Sequence, residues 1–335
     1  MASAPPPAPV AVAGATGWLG RAVVAELVAR GYAVVALCRG EAPQLASTPG
    51  VTVRCADALD PAALEAALEP GVAALISCVG LRDAGAPPAA MRALLRDGTL
   101  NLFRAATAAR ARRVLVVAGG IHRTPAGAPN TAMEHNQYRE EGLALARGEA
   151  AAGSGESPSP ALIAVDPSVF FKDAETIFAM ISTSAEGGAS SLTLVGARAW
   201  SVACSPVSGR DLAARLVDAL VDPVPPAGRL TVGGPARLTF GELADAAGAA
   251  LGVRVARRTL PVPVARALLA VARGVGALGV PAARKVARFL AFLIAVGTDE
   301  SPGGLCGTPG GADRVEDLFA RLAADVRAAG GERRV

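Results

Sequence analysis

Three side chains stand where they could serve a reaction: Tyr138 and His122 as proton donors, and Lys172 as the partner of an anion. A positioned tyrosine is a general acid once its pKa falls towards neutrality. An imidazole changes charge near neutral pH without help. An ammonium pairs with a phosphate or a substrate carboxylate. Each also has a plainer reading. Tyr138 lies in a helical stretch, 134–152, where it would simply pack. His122 follows the fifth strand-like run, where it would face a cofactor cleft or cap a loop. Lys172 follows Phe170 and Phe171 at a helix start, where a lysine is ordinarily solvated. His122 and His135 are the only histidines, and Cys38, Cys55, Cys78, Cys204 and Cys306 are scattered without metal-ligand spacing, so no zinc site is expected.

The clearest constellation is built from glycine. Residues 10–40 read VAVAGATGWLGRAVVAELVARGYAVVALCRG. An apolar run, 10–13, meets Gly14; Gly17 and Gly20 follow at three-residue steps; an amphipathic stretch, 21–30, leads through Gly31 to a second apolar run, 32–37. The order strand, glycine turn, helix, strand is the context in which such spacing predicts a dinucleotide site. Gly14 allows the sharp turn, Gly17 allows a pyrophosphate to approach the backbone, and Gly20 allows the helix to pack on its strand. Thr16, Trp18 and Leu19 line the same turn. The phosphates would face the amides and positive end of the helix. After the second run comes Cys38-Arg39-Gly40, with no acid before Glu41. An acid there would hold a ribose 2′-hydroxyl, whereas Arg39 can pair with a 2′-phosphate. The expected cofactor is therefore NADP(H), with NAD(H) as the alternative.

The elements that must hold these residues alternate along the first half of the chain, which predicts a parallel α/β sheet. Strands are expected at 51–55, 72–79, 113–118 and 161–165, and helices from Pro61, over 91–111 and over 134–152. Further on, 170–181 and 211–221 read as helices, and 191–195, 200–203, 230–232 and 253–260 as strands. Thr239-Phe-Gly-Glu242 is a capping box that opens a helix to Leu251. Residues 262–297 are mostly helical, with breaks at 274–279 and Pro281, and a last helix covers 315–329. The expected fold is a doubly wound parallel-sheet Rossmann domain with a smaller C-terminal α/β cap domain. Residues 1–9 form a flexible tail, 10–170 the cofactor domain with a return near 200–232, and 171–330 mainly the cap. The ligand is expected in the crevice between the two, at the carboxyl ends of the strands.

Composition narrows the partners. A net charge of +4 over 335 residues, without a cluster of cations and interleaved aromatics, speaks against nucleic acid. The odd, scattered cysteines suggest reduced thiols in a reducing compartment; cytoplasm and organelle interior are not distinguished. No apolar run reaches spanning length, and MASAPPPAPV does not read as a signal peptide. Arg257, Arg258, Arg266, Arg273, Arg284, Lys285 and Arg288 spread among Leu268, Leu269, Phe289 and Phe292. They suit either solvated helices of a substrate domain or a region that meets a hydrophobic substrate or a membrane surface. The oligomeric state is left open.

Taken together, GATGWLG, Cys38-Arg39 and Ala56-Asp57-Ala-Leu-Asp60 resemble the extended and atypical short-chain dehydrogenase/reductase superfamily. The resemblance implies that Asp57, with Ala58, faces the adenine, and that Ser77-Cys78-Val79-Gly80 lies along the cofactor. It matches Asn101 to a helix asparagine, and 167–173 to the segment bordering the nicotinamide. It also relates 205–213 and 233–240 to later motifs of the superfamily. The tail, from Val296-Gly-Thr-Asp299 to Asp317-Leu318-Phe319, is similar to NmrA-like and divinyl chlorophyllide 8-vinyl reductase-like members. The centre is similar to the complex I accessory subunit, which binds NADPH without turnover. The superfamily's active site is a Ser or Thr after strand five with a Tyr-x-x-x-Lys pair. Here Ala118-Gly119-Gly120 offers no hydroxyl, and Gly142 stands four residues after Tyr138. The resemblance thus implies an NADP(H)-dependent oxidoreductase acting on a small, hydrophobic substrate, such as a reductase of a conjugated C=C bond. The alternative is a non-catalytic NADP(H)-binding accessory or regulatory protein.

Overall fold

A computed structural model describes residues 8–69, 71–81, 83, 85–118, 134–152, 158–185, 187–298 and 305–332. His122, Gly119, Gly120 and Asp299 lie outside the described residues. In chain order the elements are β1 (Val10–Ala13), α1 (Trp18–Ala29), β2 (Val34–Cys38), α2 (Pro43–Ala46), β3 (Val51–Cys55), α3 (Pro61–Leu68), β4 (Ala74–Ser77), α4 (Pro88–Arg92), α5 (Gly98–Ala108), β5 (Arg113–Val117), α6 (Glu134–Ala152) and β6 (Ala161–Pro167). There follow α7 (Phe171–Thr183), β7 (Ala189–Val195), β8 (Ala203–Cys204), α8 (Gly209–Asp218), β9 (Arg229–Val232), β10 (Leu238–Thr239), α9 (Phe240–Leu251), β11 (Arg254–Leu260), α10 (Val262–Ala277), α11 (Pro281–Gly297) and α12 (Val315–Glu332). They form two compact units, one from residues 8–118, 134–166 and 212–230, the other from 167–211 and 231–332.

The first unit is a seven-stranded sheet in the order β3-β2-β1-β4-β5-β6-β9. Strands β1 to β6 pair in parallel, Val10 lying opposite both Val34 and Ala74. This is the doubly wound arrangement. The winding reverses at β1 and β4, which is where such sheets leave a crevice at the strands' carboxyl ends. Both strands are buried along their whole length, so they read as unbroken apolar runs, while the edge strand β3 is largely exposed. Leu64, Leu75, Leu102, Phe103, Val114, Val116 and Leu143 form the core on the face covered by α3, α5 and α6. Arg229 at the start of β9 bonds Asp166 at 2.7 and 2.8 Å and Glu140 at 2.7 and 3.0 Å, tying β9 and α6 to the end of β6.

The continuous helix expected over 91–111 is interrupted. A π-helical turn, Ala93–Asp97, separates α4 from α5. Helix α6 crosses this turn so closely that a Cβ at Gly142 would lie 2.7 Å from the Arg96 carbonyl oxygen. Apolar periodicity carries no sign of one extra residue per turn, so the break is invisible in the sequence.

In the second unit, β7 and β11 pair in parallel and β8 and β10 antiparallel. Helices α7, α9 and α12 enclose a core centred on Phe178, Phe240 and Phe319; the rings of Phe178 and Phe319 stack at 5.6 Å. The strand expected at 200–203 is mostly a 3₁₀ turn, Ala197–Ser201, followed by the two residues of β8. The capping box stands as read: Glu242 N donates to Thr239 Oγ1 at 3.1 Å, and Thr239 N to Glu242 Oε2 at 2.7 Å. Helices α10 and α11 form a hairpin whose inner face, with Ala265, Leu269, Ala272, Ala287, Ala291 and Ile294, packs on Val195. Glycines 274 and 276 lie inside α10; the chain breaks only at 278–280.

Candidate functional site

The site builds up from the end of β1. Gly14 takes φ +74°, a conformation that side chains disfavour, and a Cβ there would lie 2.9 Å from the Cys78 carbonyl oxygen. The Cys78 amide donates to Ala13 O at 2.9 Å, so the glycine turn and the 78–80 loop sit side by side at the switch point. A Cβ on Gly20 would collide with the Gly14 carbonyl, which makes the third glycine a packing requirement of α1 on β1. Gly17 differs: its Cβ would meet only Gly14 O, at 3.2 Å, and otherwise project into open space. Gly17 caps α1 without a side-chain bond, and the first turn holds no acid. The first helical bond runs from Arg21 N to Gly17 O, so the amides of Leu19 and Gly20 have no acceptor within the helix. A cradle kept open by a missing Cβ, at an uncompensated helix N-terminus, fits a pyrophosphate.

Beside it opens a cavity of about 640 Å³ lined by Thr16, Arg21, Cys38, Arg39, Glu41 and Pro43, among others. Arg21 Nε donates to Thr16 O at 3.1 Å. Arg39 is exposed at its rim. Two guanidiniums against one carboxylate give this cavity the charge to hold an anion such as a 2′-phosphate.

On the adjoining loop, Asp57 Oδ1 accepts from Leu59 N at 2.9 Å, and Asn101 Nδ2 donates to Ala58 O at 3.0 Å. Asn101 therefore holds the 57–59 turn in place from α5. Trp18 is half exposed at the start of α1.

Arg139 is a site residue that the sequence does not single out. It is buried on α6, with Asn136 and Gly142 on the same face, and donates to Val79 O at 2.5 Å and to Thr99 Oγ1 at 2.8 Å. Burial pulls its guanidinium down to about 10. It braces the 78–80 loop from behind. Burial pushes the Cys78 thiol up to about 12, offset in part by Arg139. Asn136 and Ser77 are buried with side-chain polar atoms that have no hydrogen-bond partner among the described residues. By strand alternation Ser77 shares the face of Leu75, the one that α5 and α6 cover. An arginine among 30 others in an alanine-rich helix gives no sequence signal; only its place at helical spacing from Asn136 and Gly142 would have hinted at burial.

Of the candidate catalytic residues, Tyr138 lies half-buried on α6 in the first unit. Lys172 lies in the second unit at the exposed start of α7, paired with Glu175 at 2.7 Å. His122 is outside the described residues. Ser208, Arg210 and Asp211, from the later motif, hold the 311–313 loop: Asp211 Oδ2 accepts from Ala312 N and Asp313 N at 3.1 and 2.9 Å, while Ser208 and Arg210 bind Asp313. No group of metal-ligating side chains gathers among the described residues.

Comparisons with known proteins agree with this geometry. Residues 14–151 match the model of a family described as NAD(P)H-binding. The chain is 29% identical over 252 residues to the chloroplastic divinyl chlorophyllide a 8-vinyl-reductase of Oryza sativa subsp. indica; the match covers 70% of this chain and 56% of that protein. The fold is similar to that of the NADPH-dependent quinone oxidoreductase of Escherichia coli complexed with NADPH, at 19% identity and TM-score 0.64, over 93% of this chain and 99% of that one. It is also similar to a short-chain dehydrogenase/reductase superfamily protein of Agrobacterium tumefaciens with bound NAD, at 18% identity and TM-score 0.62, over 97% and 99% of the two chains.

Proposed function

We propose that this chain, an NAD(P)-binding Rossmann-fold protein of the short-chain dehydrogenase/reductase and epimerase type, is an NADP(H)-dependent oxidoreductase that reduces a conjugated C=C bond of a hydrophobic substrate. The glycine turn, 14–20, would hold the pyrophosphate, Asp57 and Ala58 the adenine side, and Arg39 with Arg21 a 2′-phosphate. NADPH held there would supply a hydride and be left as NADP⁺, and the second hydrogen of the saturated bond would come as a proton from water. The chain's own contribution would be positioning: Arg139 and Asn101 hold the two loops that flank the cofactor path.

The observation that carries the choice of reaction is Gly142. The lysine that would lower a tyrosine pKa has no room there, because the Arg96 backbone occupies its place. A carbonyl reduction that relies on a tyrosine–lysine pair is thereby disfavoured. Hydride addition to an activated C=C bond asks less of a proton donor. The similarity to a vinyl reductase points the same way. Incubating the protein with NADPH and divinyl chlorins under anaerobic conditions tests this: the expected product has gained two hydrogens per NADPH consumed. The same missing lysine favours one second reading, an NADP(H)-binding accessory or regulatory protein. Tight NADPH binding without consumption across vinyl and quinone acceptors would select it.

A further inference from the structure

The α10–α11 hairpin has a second apolar surface. Beyond the inner face that packs on Val195, Val264, Leu268, Val271, Val275 and Leu278 recur at three- and four-residue steps along α10 and are exposed, Leu278 at the hairpin tip by 84%. Val280, Val286 and Phe289 continue the exposure into α11. More than half of the large apolar side chains exposed among the described residues lie in this one segment. Its charge is equally one-sided. Residues 262–298 contain Arg266, Arg273, Arg284, Lys285 and Arg288 and no Asp or Glu, in a chain where acids nearly match bases elsewhere. A helix face used only to cover a protein core has no need of an outer apolar stripe.

We propose that this hairpin docks on the surface of an anionic lipid bilayer. The stripe would sink into the boundary between headgroups and acyl chains, and the cations would meet the lipid phosphates, each adding attraction to a negative surface. No described helix is long and apolar enough to cross a membrane, so the hairpin lies on the bilayer. The formal charge of the segment makes an acidic lipid surface its complement. A second copy of the chain would bring like charges together at the same face.

Co-sedimentation with vesicles tests the proposal. Intact protein should pellet with vesicles of equal parts phosphatidylcholine and phosphatidylglycerol, and about tenfold less with phosphatidylcholine alone, the difference shrinking as salt screens the charges. Leu268→Ser with Val271→Ser and Leu278→Ser should reduce binding to the anionic vesicles about tenfold. Because these side chains are exposed, NADPH binding by the triple variant should be unchanged, which reports that it is folded and separates this test from that of the reductase reading. Failure to pellet with anionic vesicles, equal binding to both compositions, or binding unaffected by the serines would each overturn the proposal. So would a dimer in sedimentation velocity that the serines dissociate, since the stripe would then be a self-interface.

Discussion

At the scale of single residues, the proposed nucleotide site makes separate expectations for Arg39 and for the glycines of the turn. Arg39 stands on the rim of a cavity whose other cation, Arg21, is bonded back to Thr16. Arg39→Ala should therefore remove most of any preference for NADPH over NADH, about 1.5–3 kcal/mol for a lost charge-assisted bond, by calorimetry with both cofactors. Equal affinities before the substitution would refute the assignment. The glycines separate into two kinds. Gly17→Val should abolish NADPH binding while stability stays within about 1 kcal/mol, because its Cβ would meet little within the protein. Gly20→Ala should instead cost about 3 kcal/mol in denaturant unfolding, because its Cβ is driven into the Gly14 carbonyl. If both variants lose stability alike, the open space beside Gly17 is not a ligand cradle. The glycine spacing was legible in the sequence because each glycine answers a local backbone need. Arg139 was not legible: its importance comes from Val79 and Thr99, which are far away along the chain.

Helix α6 shows how an element limits chemistry. It carries Tyr138, and four residues on, at the position a partner lysine would need, a Cβ on Gly142 would lie 2.7 Å from the Arg96 carbonyl oxygen of the π-helical turn. Gly142→Lys should therefore destabilise the fold by about 3 kcal/mol and add no activity. With glycine at position 142 in place of the lysine, the pair that would assist proton transfer from Tyr138 is not formed. Tyr138→Phe should accordingly lower reductase turnover less than about tenfold. A loss of about a thousandfold, ~4 kcal/mol, with NADPH affinity intact would restore Tyr138 as the proton donor. The strands and helices of the sheet were readable because apolar runs and caps are local: β1, β3, α3 and the Thr239–Glu242 box stand where the sequence puts them. The π turn and the 3₁₀ turn at 197–201 were not, since each depends on packing by other elements rather than on periodicity.

For the whole molecule, the sequence carried the doubly wound sheet well, because alternating strand and helix signals with short links leave few topologies open. The composition of each unit was harder to read. The first gathers residues 212–230 from beyond the second unit's opening segment, and Arg229 is the device that fastens that return to Asp166 and Glu140. The hairpin's double apolar character was visible as a mixture of arginine and leucine. Which stripe faces inward came only from the packing on Val195. The function proposed for this molecule is that a nucleotide-binding sheet presents a hydride to a conjugated acceptor. The most direct measurement uses NADPH carrying deuterium at nicotinamide C4, with a divinyl chlorin as acceptor and mass spectrometry of the product. The expected result is a saturated product that holds the deuterium from the cofactor and one hydrogen from water. NADPH that binds tightly yet leaves no deuterium in any vinyl acceptor would contradict it.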